Sequence, residues 1–189
     1  MSIQYYCYRI TTNHLGIGRS HRIGDLGVGG IEQVIYQLCQ SSLPHGIQSE
    51  VLTLSVDPEP AEIMVADHRV HRAKLDLQLA STGFSYSVLG RLKALAAEAD
   101  VVNYHFPWPY MDVLHFAARI KKPTVVTYHS DIIRQKHLLK LYRPLMNCFL
   151  SSADRIVAAS PNYLATSDVL TQYLYDGERP LGLQANNDS

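Results

Sequence analysis

"DVVNYHFPWPYMDVLHFAARIKKPTVVTYHSD" runs from Asp100 to Asp131. Two apolar runs, Asp100–Phe106 and Pro123–Asp131, flank a helical pattern over Met111–Ile120, and Pro107 and Pro109 stop the first run. Near-continuous apolar strands separated by a helix belong to a parallel sheet covered on both faces. The alternation continues outward. "QSEVLTLSV" (Gln48–Val56) reads as a strand, and Ala61–Ala73 holds one more. Val88–Ala99 is a helix with Leu92, Leu95 and Ala96 on one side. Lys136–Ala153 is a helix with a kink expected at Pro144, and Asp154–Ser160 is the last clear strand. Ser160-Pro161 has the form of a helix N-cap. The expected class is α/β, a Rossmann-like doubly wound parallel sheet. Only "IQYYCYRI" (Ile3–Ile10) could supply a first strand before Gly27. Beyond Tyr175 the chain is polar and rich in turn formers, so residues 1–175 read as one domain and 176–189 as an irregular tail.

The chain has 189 residues, enough to bury a sizeable core. Its 47% hydrophobic and 18% charged residues are those of a soluble globular domain. Net charge is zero, which removes the electrostatic case for nucleic acid as a partner. Three scattered cysteines without CxxC spacing argue against a disulfide framework or a zinc site. The N-terminus lacks a signal-peptide core and no apolar stretch would span a bilayer, so a cytoplasmic location is expected.

In sheets of this kind ligands bind beyond the carboxyl ends of the strands. Three places lie there: the glycine loop of "DLGVGGIEQVIYQLCQSS" (Asp25–Ser42), His105, and His129 with Ser130 and Asp131. Ile31, Val34, Ile35 and Leu38 form one helical stripe, so Gly29 and Gly30 sit at a helix start. Unpartnered N–H groups and the helix dipole make that start an anion site, and missing Cβ atoms allow close approach. The same glycines would equally serve a tight strand-to-helix turn. A dinucleotide fingerprint fails because Glu32 stands where its third glycine belongs, and no G-K-[ST] occurs. His105 and His129 are placed to donate to a substrate oxygen or to act as acid or base, or else to bond a loop carbonyl. They lack a third ligand at metal spacing, so no metal is expected. The other histidines, His68, His71 and His115 among them, read as surface, loop or strand residues without a site. Trp108 reads as packing. Arg134, Lys136, Lys140 and Arg143 surround a leucine stripe, a pattern of solvated faces and, less often, of helices on anionic membranes.

Taken as an ordered set, "GVGGIEQVIYQLCQSSLPHGIQSEVLTL", "ADVVNYHFPWPYMDVL", "KKPTVVTYHSD" and "SSADRIVAASPNYLATS" resemble the N-terminal domain of family 4 glycosyltransferases, retaining enzymes of GT-B fold. The resemblance covers roughly Gly27 to Ser167. It implies the acceptor-side half of a two-domain enzyme that transfers a hexose, such as mannose or glucose, from a nucleotide-diphosphate sugar to a glycan or lipid-linked acceptor in cell-surface polysaccharide synthesis. It further implies that amides at Gly29 and Gly30 approach the donor diphosphate and that His129 contacts the transferred sugar. His105, Ser130 and Asp131 would line the cleft. The region from Arg134 to Arg143 would face the inner surface of the cytoplasmic membrane. No cofactor is implied. The family's donor-binding C-terminal domain and its E-x7-E motif are not found in this sequence. A separately encoded C-terminal domain is therefore an expected partner, without which the chain would be inactive. The alternatives are a non-catalytic module that binds a glycan or partner, or another GT-B-like enzyme such as a sugar epimerase.

Overall fold

The computed structural model describes residues 7–11, 30–79, 82–131, 136–160 and 166–175. Its main sheet has seven strands in the order β3-β4-β2-β1-β7-β8-β9. These are β1 (Cys7–Thr11), β2 (Gln48–Ser55), β3 (Glu62–Val65), β4 (His68–Lys74), β7 (Val101–Phe106), β8 (Thr124–Tyr128) and β9 (Arg155–Ala158). A separate hairpin pairs β5 (Leu77–Leu79) with β6 (Thr82–Phe84). The helices are α1 (Gly30–Ser42), α2 (Val88–Glu98), α3 (Pro109–Ala118), α4 (Lys136–Ser152) and α5 (Asp168–Tyr175).

β2–β4 and β7–β8–β9 pair in parallel. β1 lies between the two groups and runs antiparallel to both β2 and β7. Five strands therefore point the same way and share one carboxyl edge, where ligands of doubly wound sheets bind. Strand alternation divides the side chains between two cores. Leu52 and Leu54 of β2 enter a large core with Leu92, Tyr104, Phe106, Val126, Tyr128, Phe149 and Leu150. Val51 enters a smaller one with Ile35 and Cys39 of α1 and with Val65 and Val70. Helices thus cover both faces, as the apolar strands require.

Particular bonds lock this layering. The Asp154 carboxylate accepts from the Thr124 backbone N–H at 2.7 Å and aligns β8 with β9. The Trp108 indole donates to the Gly83 carbonyl at 3.0 Å, and Tyr110 Oη donates to the Ser85 carbonyl at 3.0 Å. Trp108 is buried, so it packs the β5–β6 hairpin onto α3 as its proline-flanked position suggested.

Several expectations are corrected. Ala61–Ala73 holds two antiparallel strands, because Ala66 at φ 47° turns the chain between them. The β5–β6 pair is too short to announce itself by alternation. The helix expected over Lys136–Ala153 is α4, which contains Pro144. His68, His71 and His115 are buried rather than on the surface. His71 Nε2 lies 2.7 Å from Glu50 and its Nδ1 lies 3.3 Å from Glu62, while His115 Nδ1 lies 3.0 Å from Tyr104 Oη. Pro161 of the Ser160-Pro161 cap, the segment before Gly27 except β1, and the 176–189 tail lie outside the described residues.

Candidate functional site

His105 ends β7 but for Phe106, and His129 directly follows β8. On both strands alternate residues face the large core, where Phe106 and Tyr128 stack at 4.7 Å between ring centroids. Asn103, His105, Thr127 and His129 are thereby turned to the opposite face. Register identifies that face. Val51 is paired with Tyr8, and Tyr8 with Asn103, so Val51 and Asn103 share one side of the sheet. Val51 packs against α1. The histidines therefore occupy the face that α1 covers. α1 leads through the turn at Leu43–His45 into the amino end of β2, so its own N-terminus lies toward the carboxyl edge. Gly30 and the two histidines share one face and one edge.

The two imidazoles form a pair. His105 Nδ1 lies 2.7 Å from His129 Nε2, with the rings stacked at 22° and 5.1 Å between centroids. The His129 backbone N–H donates to the Phe106 carbonyl at 3.0 Å and fixes the approach. Burial drives the His129 imidazole down to about 4. His105 is held well below its ordinary value, first by burial and then by repulsion from His129. Both rings are neutral at pH 7, so one of the facing nitrogens donates and the other accepts. The tautomers are coupled: if His105 Nδ1 donates, His129 carries its hydrogen on Nδ1. Behind them Thr127 Oγ1 donates to Asn103 Oδ1 at 3.0 Å inside the sheet.

Asp131 is held otherwise. Its Oδ1 accepts from Tyr128 Oη at 2.5 Å and from Ser167 Oγ at 2.6 Å, and Ser167 Oγ also accepts from the Leu170 N–H at 3.1 Å. This carboxylate ties the end of β8 to the capped start of α5. Ser130 beside it is half-buried. Ser167 escaped the sequence reading, although a serine before "DVL" is a cap signal.

Gly29 lies outside the described residues. Gly30 is exposed, and a Cβ added there would meet nothing within 4 Å. Among the described residues, packing does not demand glycine at 30. Arg134 also lies outside the described residues, as does the side chain of Lys136. Lys140 and Arg143 are exposed on α4, and between them Leu141 is 80% exposed instead of buried in the expected leucine stripe. Among the described residues no helix is long and apolar enough to cross a membrane, and no cluster of His, Cys, Asp or Glu could hold a metal ion.

Away from the edge, α3 carries a group that sequence reading missed. Asp112 is fully buried, accepts from Tyr142 Oη of α4 through Oδ2, and among the described residues has no partner for Oδ1. Burial pushes its carboxyl up to about 8, against the opposing pull of the Tyr142 hydroxyl.

Comparison with known proteins bears on this edge. The model of Glycosyltransferase Family 4 matches residues 28–170. The D-rhamnosyltransferase WbpZ of Pseudomonas aeruginosa is 70% identical over 146 residues, covering 77% of this chain and 38% of that protein. The O-antigen chain mannosyltransferase C of Escherichia coli is 52% identical over 145 residues, covering 77% of this chain and 39% of that protein. The chain thus spans about two fifths of the length of these curated relatives. No solved structure matches it.

Proposed function

This chain belongs to glycosyltransferase family 4, and on that premise we propose that it is the acceptor-side half of a retaining GT-B glycosyltransferase acting in cell-surface polysaccharide assembly. The observation that carries the reading is the 70% identity to a D-rhamnosyltransferase over 146 residues. The donor is a nucleotide-diphosphate sugar and the acceptor a glycan or lipid-linked glycan. D-Rhamnose is 6-deoxy-D-mannose, so both named relatives point to a sugar of manno configuration.

In the transfer the bond from the anomeric carbon to the diphosphate oxygen breaks and a bond to an acceptor hydroxyl forms on the same face. The acceptor proton leaves with the diphosphate. The Gly30 amide, at the positive end of α1, stabilises the charge that grows on the departing diphosphate, and the amide of Gly29 is assigned the same task from the family resemblance. Neutral His129 offers a hydrogen bond to the transferred sugar, its tautomer set by His105. Ser130 lines the cleft, and Asp131 holds its floor in place. No metal takes part in this scheme. A C-terminal donor-binding domain, in the same or a separate chain, supplies the opposite wall. Lys140, Leu141 and Arg143 fit peripheral contact with the inner face of the cytoplasmic membrane.

The test joins this chain to the remainder of the D-rhamnosyltransferase relative and measures sugar transfer to the acceptor. His129→Ala is expected to lower turnover about 100-fold or more with the fold intact. Unchanged turnover would remove His129 from the mechanism. No transfer by the joined enzyme would refute the assignment of this chain as the acceptor-side half.

A further inference from the structure

A cavity of about 240 Å³ opens where the ends of α2 and α3 meet, ringed by Lys93, Arg119, Lys121 and Lys122 over a floor that includes Ala96 and Ile120. No carboxylate lines it. Among the described residues none of the four cationic side chains makes a hydrogen bond or an ion pair. Gathering four like charges around one hollow is unfavourable unless an anion joins them. The helix dipole accounts for Arg119, the C-cap of α3, but not for Lys93 in the middle of α2. The last turn of α2 holds no basic residue, and Lys121 and Lys122 lie beyond the end of α3.

Arg119 adds a second observation. It occupies the left-handed cap of α3 at φ 55°, with its N–H donating to the Phe116 carbonyl. Glycine is the usual residue there because a side chain is strained. The strained position puts a guanidinium at the cavity mouth.

α2 leads into β7, and Ile120–Pro123 leads into β8, so the cavity sits at the amino ends of these strands. The histidine pair is at the other end. Six residues of β7, at roughly 3.3 Å each, separate the two places by about 15–20 Å. The hollow is also smaller than the roughly 300–1,000 Å³ of pockets for drug-sized ligands, so a headgroup-sized anion fits better than a nucleotide sugar. We propose that this cavity binds a phosphate-bearing anion, at a site separate from the reaction edge. The phosphate is either free in solution or carried on a lipid headgroup.

The test titrates the full chain with inorganic pyrophosphate, following backbone amides by NMR, and sediments it with phosphatidylglycerol or phosphatidylcholine vesicles. A response at Arg119–Lys122 that weakens at least tenfold in Lys93→Ala/Lys121→Ala supports a free phosphate. No pyrophosphate response, but sedimentation with phosphatidylglycerol vesicles alone that the same double variant abolishes, supports the lipid headgroup. Arg119→Gly is expected to weaken whichever binding is found while raising Tm by a few degrees, which a purely structural arginine would not do. Binding unchanged in the double variant, or no binding in either arm, overturns the proposal.

Discussion

The buried Asp112 carboxyl should make the fold lose stability as the medium turns alkaline, and Asp112→Asn isolates the effect. Its folded value of about 8 stands against 3.8 for an ordinary aspartate. A raised carboxyl is favourable to folding only while protonated. The unfolded chain sheds this proton near pH 4 and the folded chain holds it until pH 8, so stability declines across that window and levels off above it. A tenfold change per pH unit over most of that window gives a loss of about 2 kcal/mol between pH 6.5 and 8. For a chain of this length that is a Tm decrease of roughly 4–7 °C. The buried histidines act in the opposite sense at lower pH. His68 and His129 are driven down to about 4 by burial, so the unfolded chain takes up protons below pH 6.5 that the folded one refuses. Their stabilising contribution is complete only about a unit above pH 6.5 and is lost as pH falls toward 4; it is common to wild type and Asp112→Asn and cancels in the difference between them. Urea unfolding of wild type and Asp112→Asn at pH 6.5 and 8 should show the gap between them widening in the variant's favour by that amount. A gap that stays constant with pH would refute the reasoning, whatever its size, because the altered hydrogen bond to Tyr142 contributes equally at both values.

Gly30→Ala should leave unfolding free energy within about 1 kcal/mol of wild type, since the added methyl meets open space and alanine suits a helix. In the two-domain enzyme the same change should raise KM for the donor more than for the acceptor, and equal effects would mark Gly30 as a turn residue only. Ser167→Ala removes both the Asp131 bond and the α5 cap. A loss of about 1–3 kcal/mol in urea unfolding is expected, and no loss would mean that Asp131 is not anchored through it.

Much of the architecture is a local property of this chain. Apolar runs such as Val101–Phe106 and Thr124–Tyr128, and the 3.6-residue stripe of Ile31, Val34, Ile35 and Leu38, carry their periods within a few residues, so strand and helix positions could be read directly. The placement of His105 and His129 at strand ends followed from the same runs. What crosses from one element to another could not be read this way. The direction of β1 depends on its partners. Through it passes the register that puts Asn103 on the side of Val51, and hence the histidine pair on the face of α1. That His105 and His129 face each other at 2.7 Å is likewise a fact of the pairing of β7 with β8. Burial reversed several local signals for the same reason. Asp112 has the sequence context of an exposed first turn and is enclosed by α4, whereas Leu141 has that of a core residue and stands in solvent. Lys93 and Arg119–Lys122 are separated by a strand and a helix and meet only because both segments end at one edge of the sheet. The sequence by itself determined the period and type of each element, because sterics and amphipathicity act over a single turn or pleat. Tertiary structure alone decided which elements face each other, and with that the ionisation of Asp112, the coupling of the histidines and the convergence of charge.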